Sequence, residues 1–123
     1  MRAVMLLVAL WITAAMSAHA QDAVTVDPKH YKVEFENEQV RVLRIKYGPG
    51  EKSVMHQHPA NVAVFLTDGQ GKFTLPDGNS MNAPMKAGTA QWGAGEKHLP
   101  ANVGDKPFEL ILVELKGKAM PAK

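Results

Sequence analysis

The sequence predicts an all-β domain, a sandwich or barrel of short strands. Three observations carry this. Apolar residues alternate with charged ones at period two, as in Tyr31, Val33 and Phe35. Gly and Pro clusters break the chain at short intervals from Gly48 onward. After Ala20, no stretch shows the 3.6-residue apolar period of an amphipathic helix.

The elements follow in order. A first strand runs from Tyr31 and is interrupted at Asn37-Glu38. Val40 and Val42 keep period two before the apolar parity switches to Leu43, Ile45 and Tyr47, which predicts a bulge between two half-strands. Gly48-Pro49-Gly50 is a turn, and strands are expected over residues 52–58 and 62–67. Asp68-Gly69-Gln70-Gly71 reads as a hairpin turn, with a strand resuming over 73–75. Pro76-Asp77-Gly78-Asn79, Lys86-Ala87-Gly88 and Gly93-Ala94-Gly95 are further breaks, with a short strand over 89–92. Strands over 97–103 and 108–115, separated by Gly104-Asp105-Lys106-Pro107, close the domain.

A chain of 123 residues allows one domain. Its 14 Lys and Arg and 12 Asp and Glu are dispersed, so the basic patch of a nucleic-acid binder is missing. With no cysteine there is no disulfide framework, thiolate metal site or cysteine nucleophile. The start of the chain is different in character. Arg2 precedes an apolar run from Ala3 to Met16 broken only by Thr13, and Ala18-His19-Ala20 is an A-x-A pattern. These mark a secretory signal peptide cleaved after Ala20; the run is shorter than the roughly 20 residues a membrane span needs. The expected organisation is a leader over 1–20, an N-terminal segment and first strand over 21–39, a barrel over 40–115 and a flexible tail over 116–123. The mature protein is expected in the periplasm or secreted, free of the membrane.

The candidate chemistry rests on histidines. His56 and His58 stand at i and i+2 in an expected strand, so both side chains point to one face. That face is read as the interior one, shared after Pro59 by Val62 and Val64. Two imidazoles on an inner face make a bidentate site for a divalent metal, and a third would complete a facial triad. The competing reading is two histidines satisfied by backbone carbonyls. His30 lies before the first strand and is read as solvent-exposed, without a ligand role.

Glycines around these histidines add a second signal. The stretch from Gly50 through His56 and His58 to Gly69 resembles the first motif of the cupin superfamily, G-x5-H-x-H-x3-E-x6-G. Gly95, His98 and Asn102 fit the end of the second motif, G-x2-H-x3-N, with Gly88 and Gly93 near its earlier glycine and its proline. The resemblance covers most of the chain after Ala20. It implies a double-stranded β-helix barrel of jelly-roll type, with His56, His58 and His98 converging on one metal in the barrel mouth. It also implies a homodimer, which suits a small barrel that buries only about two-thirds of its unfolded surface.

Two departures qualify the resemblance. Val62 stands where the first motif has glutamate, and Gly93 where the second has proline. Three neutral ligands without a carboxylate suit Fe(II), Zn, Cu or Ni better than Mn or Mg, with Fe(II) the expected metal. Val62 would make the surroundings of the metal more apolar. Glu96, at the parity of His98, and Gln91 are alternative fourth ligands. Gln91 and Trp92 sit on adjacent parities, so one faces the pocket, and Trp92 is read as core or pocket lining. Tyr47 and Glu96 are the candidate bases, and Asn102 is expected to brace a turn or strand.

The expected function is metal-dependent chemistry on a small chelating substrate, of dioxygenase type, with a Zn-type lyase or isomerase as an alternative. The second reading is a non-catalytic module that binds a metal or small ligand. A third is a structural barrel without metal.

Overall fold

The computed structural model describes residues 21–117; the expected leader and residues 118–123 of the expected tail lie outside them. One helical turn, α1 (Ala23–Val26), precedes nine strands. These are β1 (Tyr31–Glu36), β2 (Val40–Tyr47), β3 (His56–His58), β4 (Asn61–Phe65), β5 (Gly69–Thr74), β6 (Ser80–Met85), β7 (Ala90–Gly93), β8 (Glu96–Asn102) and β9 (Phe108–Leu115). They form two antiparallel sheets, a five-stranded one in the order β1-β2-β9-β4-β7 and a four-stranded one in the order β3-β8-β5-β6.

Alternation along the strands divides each sheet into two faces. On β9, Phe108, Leu110, Leu112 and Glu114 are buried, while Glu109, Ile111, Val113 and Leu115 lie on the opposite face and are only half-buried. Leu43, Ile45 and Tyr47 of β2 join the buried side. The apolar core is therefore one-sided. Its buried members, from Ala23 and Tyr31 to Phe65 and Leu112, all come from α1 and the five-stranded sheet. The facing sheet turns inward its histidines and Asn102, and small residues such as Gly71 and Ala83. The inner faces leave a cavity between the sheets, with the larger Phe73, Met81 and Met85 of the four-stranded sheet also in its lining.

Several expectations change. β2 pairs with β9 without interruption, so its parity switch is no bulge: Val40 and Val42 face outward, and Leu43 begins the inward set. The register irregularity lies in β1, between Val33 and Phe35. Gly69 and Gly71 are strand residues, and the 73–75 strand is one arm of a β5–β6 hairpin. The strand expected over 52–58 contracts to His56–His58, with Lys52 forming an isolated bridge to Ala101. Lys116, assigned to the tail, is held: its amide donates to the Gln39 carbonyl and its ammonium to that of Asn37.

Candidate metal centre

β3 and β8 build the site by register. His56 stands directly opposite His98, and His58 opposite Glu96. Directly opposed residues of an antiparallel pair share a face with their Cβ atoms about 4.5–5.5 Å apart. All three imidazoles thus meet on the inner face, where each is buried. Their ring centroids lie 4.8, 5.0 and 5.4 Å apart, and one nitrogen of each falls within 4.8 Å of the others.

Hydrogen bonds fix two of the rings. His56 Nδ1 lies 2.9 Å from the Val54 carbonyl, which can only accept, so the proton sits on Nδ1 and Nε2 carries a lone pair. His58 Nδ1 likewise donates to Glu114 Oε2 at 2.7 Å. Glu114 is 2% exposed, and its second oxygen accepts from Arg41 Nε at 2.7 Å. Arg41 in turn pairs with Asp22. Carboxylate, guanidinium and carboxylate thus stand in line behind His58, with one net negative charge. On the other flank, Ser53 donates to Asp27 at 2.6 Å and contacts His56 Nδ1 at 3.2 Å. His98 has no partner at either nitrogen, and Phe73 packs on its ring at 4.4 Å.

These surroundings keep His56 and His98 neutral. Burial foremost, then the proximity of His58, lowers His56 to about 4. His98 is lowered to about 3 for the same first reason, with His58 and His56 adding to it. Neutral imidazole is the form that ligates metal. A buried polar atom without a partner is costly, and the bare nitrogens include His56 Nε2 and both of His98. The donor set, its protonation and its orphaned lone pairs fit a divalent ion of the imidazole-preferring kind. The three histidines could hold a metal ion.

A cavity of about 490 Å³ adjoins the histidines. His58, His98, Asn61, Glu96, Gln91 and Tyr47 all border it. Gln91 is the inward residue of its pair, since it opposes Ala63 on the cavity face. Trp92 opposes Val62 and is 59% exposed, so it is not a core residue, yet it too is among the residues lining the cavity. Glu96 lines the cavity, beyond the histidine cluster. The Tyr47 hydroxyl is tied to that of Tyr31 at 2.6 Å, and burial pushes it well above the usual phenol range. It cannot serve as a base near neutral pH.

Val62 does not line the cavity. Asn61, Ala63 and Phe65 do, because the Pro59-Ala60 break shifts the inward parity by one residue. The inward residue nearest the motif's glutamate is Asn61, 2% exposed, which donates to the Pro59 carbonyl at 2.9 Å. Val62 therefore does not make the surroundings of the histidine cluster apolar. His30, read from sequence as exposed, is 6% exposed, hydrogen-bonded to Asp27 and stacked on Tyr47 at 4.2 Å. Asn102 braces the β8–β9 turn, donating to the Lys106 carbonyl at 2.8 Å and accepting from the Gly104 amide at 2.9 Å. Sequence reasoning missed Glu114, Arg41 and Asp22. The one available signal was a Glu at an inward position of an apolar strand.

Two antiparallel sheets around a mouth of three inward histidines define a small double-stranded β-helix barrel. A family model described as a cupin domain matches residues 43–114, and the chain belongs to the cupin superfamily. A cupin domain from Bordetella pertussis Tohama I is similar in structure, with 27% identity and a TM-score of 0.65 over 72% of this chain and 92% of that one. A conserved protein with a double-stranded β-helix domain from Klebsiella pneumoniae subsp. pneumoniae shares the fold at 19% identity. Its TM-score is 0.57 over 88% of this chain and 94% of that one. No curated protein matches the chain.

Proposed function

We propose that this cupin is an exported metalloprotein in which His56, His58 and His98 hold one divalent transition metal, Fe(II). A small chelating substrate would be turned over beside that metal with O2, in chemistry of dioxygenase type. The observation that carries the reading is the set of three buried imidazoles within ligating reach of one another, with unpartnered nitrogens on His56 and His98, at the edge of a largely apolar cavity. The metal would supply a redox centre and a Lewis acid. His56 and His58 are held in their ligating tautomers by the Val54 carbonyl and Glu114. Phe65, Phe73 and Phe108 present apolar walls that exclude water. Glu96 stands at the wall to accept a proton or hydrogen bond from the substrate.

Metal analysis of the purified protein, then oxygen uptake by the Fe(II)-loaded form with small diols, thiols and flavonoid-like compounds, tests this. One metal per chain and substrate-dependent uptake are expected. Metal without uptake by any of them supports the second reading, a module that binds metal or a small ligand without turnover. That reading draws on the cavity's having Glu96 as its one lining carboxylate and on the engaged hydroxyl of Tyr47. Absence of metal after loading sinks the first reading and the metal-binding form of the second.

The protein is further proposed to act as a periplasmic or secreted homodimer after cleavage following Ala20. The outer face of the five-stranded sheet supports the dimer. Phe35, Val42, Val113, Val62 and Trp92 are paired in series and form one apolar row across all five strands. Phe35 and Trp92 at its ends are 55% and 59% exposed. Such a face resembles half of a buried core, the composition of lasting homodimer interfaces.

A further inference from the structure

The lining of the cavity is unbalanced in charge. No Lys, Arg or Asp is among its described lining residues, and Glu96 is its one carboxylate. The rest of the wall is mostly apolar, with Phe65, Phe73, Phe108, Met81 and Met85 beside the amides of Asn61, Asn82 and Gln91. Its volume of about 490 Å³ is within the usual range for small-molecule pockets, roughly 300–1,000 Å³.

The Glu96 carboxylate is steered toward the cavity. It opposes His58 across the β3–β8 pair, and the Asn61 amide donates to its Oε1 at 3.3 Å. Gly93 makes room for both groups. A Cβ there would come within 2.8 Å of Asn61 Oδ1 and 3.0 Å of Glu96 Oε2. Gly95, at φ +104°, makes the tight turn that starts β8 at Glu96. Arg41, the cation on the inner side of β2, is committed to Asp22 and Glu114 and does not line the cavity. In the metal-free chain an anion entering would meet a carboxylate across a mostly apolar wall without a compensating side-chain cation, an arrangement that discriminates against it.

The geometry points to this cavity as a binding site for uncharged or cationic small molecules with an apolar, ring-sized body and a hydrogen-bond donor for Glu96. Glu96 is then the residue that selects such ligands over carboxylates and phosphates. The inference rests on the proposed function only in taking this cavity as the ligand site; the preference belongs to the protein wall and does not require a metal.

Three probes with one ring and different heads test it: benzylamine, benzyl alcohol and benzoate. Their affinities for the metal-free full chain are measured by ligand-observed NMR, with wild type and Glu96→Gln. In wild type benzylamine should bind tightest and benzoate at least about tenfold more weakly. In Glu96→Gln, which keeps the shape and a partner for Asn61, the amine and the benzoate should fall within about threefold of each other, with the melting temperature unchanged. Benzoate binding as tightly as benzylamine in wild type would overturn the assignment. So would no binding by any probe, or an amine preference that survives in Glu96→Gln. If that variant is unstable, Glu96→Ala is read in the same way. Zinc stoichiometry on the same preparations separates this inference from the metal reading. One zinc bound without the ranking removes the cavity assignment alone, and the ranking without zinc removes the metal site alone.

Discussion

Glu114 would act on a metal held by the three histidines from outside the ligand set. A ligating carboxylate would add negative charge directly to the ion, whereas Glu114 adds it behind His58, through the Nδ1 hydrogen bond, with Arg41 and Asp22 in line. Such outer partners fix the tautomer and raise ligand basicity, and their loss usually costs about 10–100-fold in metal affinity. Glu114→Gln should weaken zinc binding by that order, measured in competition with a chromophoric chelator; unchanged affinity would mean the His58–Glu114 bond does not act on the site. A second expectation follows from the neutral imidazoles. His56 and His98 take up protons on unfolding below about pH 6.5, but in the fold they stay neutral down to about 4 and 3. The unfolded chain then binds more protons, so metal-free stability falls as pH drops from about 6.5 toward these values. The melting temperature of the metal-free protein should decline across that window, and His98→Gln should decline less steeply. Equal slopes for the two would contradict the lowered value of His98. The histidine pair was legible in sequence because i, i+2 spacing in a strand is local information. Glu114 was not, since its meaning depends on a strand 56 residues away from His58.

At the scale of the element, the site depends on a three-residue strand. β3 offers only His56, Gln57 and His58 to pair with β8, and a slip of one residue would turn both histidines outward. Most strand positions read from Gly and Pro punctuation stand close to those observed, and 108–115 matches β9 in full, but β6 was not among them and Gly69 to Gly71, read as a turn, lie in β5. What pattern reading could not carry was parity across a break. Val62 and Val64 are as apolar as any core residue, yet they belong to the outer face, because strand alternation restarts after Pro59-Ala60. The apolar run in β2 misled for a related cause: a sheet with one buried face and one half-buried face shows hydrophobic residues at both parities. Val62→Glu gives a direct check. The new carboxylate would lie on the outer face, so the order of stabilisation by Fe, Zn, Ni and Mn, read from melting temperatures, should be the same as in wild type. A selective gain for Mn would mean that position 62 reaches the metal.

For the whole molecule, the outer row from Phe35 to Trp92 predicts association. Trp92→Glu would put a charge at the exposed end of that row, at a position outside the histidine cluster. It should shift sedimentation from dimer toward monomer while leaving metal stoichiometry unaltered. A wild-type chain that sediments as a monomer at high concentration would remove the dimer proposal. The overall architecture could be anticipated because strand length, turn chemistry and motif glycines agree with one another. The outer apolar row could not, since it needs five strands in register before it exists.

The first residues of the described chain are fastened to the centre of the molecule. Ala23 is wholly buried, Asp22 bridges to Gln57 between the two histidines of β3, and the same Asp22 holds Arg41. This stretch works like a buckle over the strand that carries the imidazole pair. An affinity tag fused immediately ahead of Gln21 would therefore pull on that buckle, and a purification handle belongs at the far end of the polypeptide.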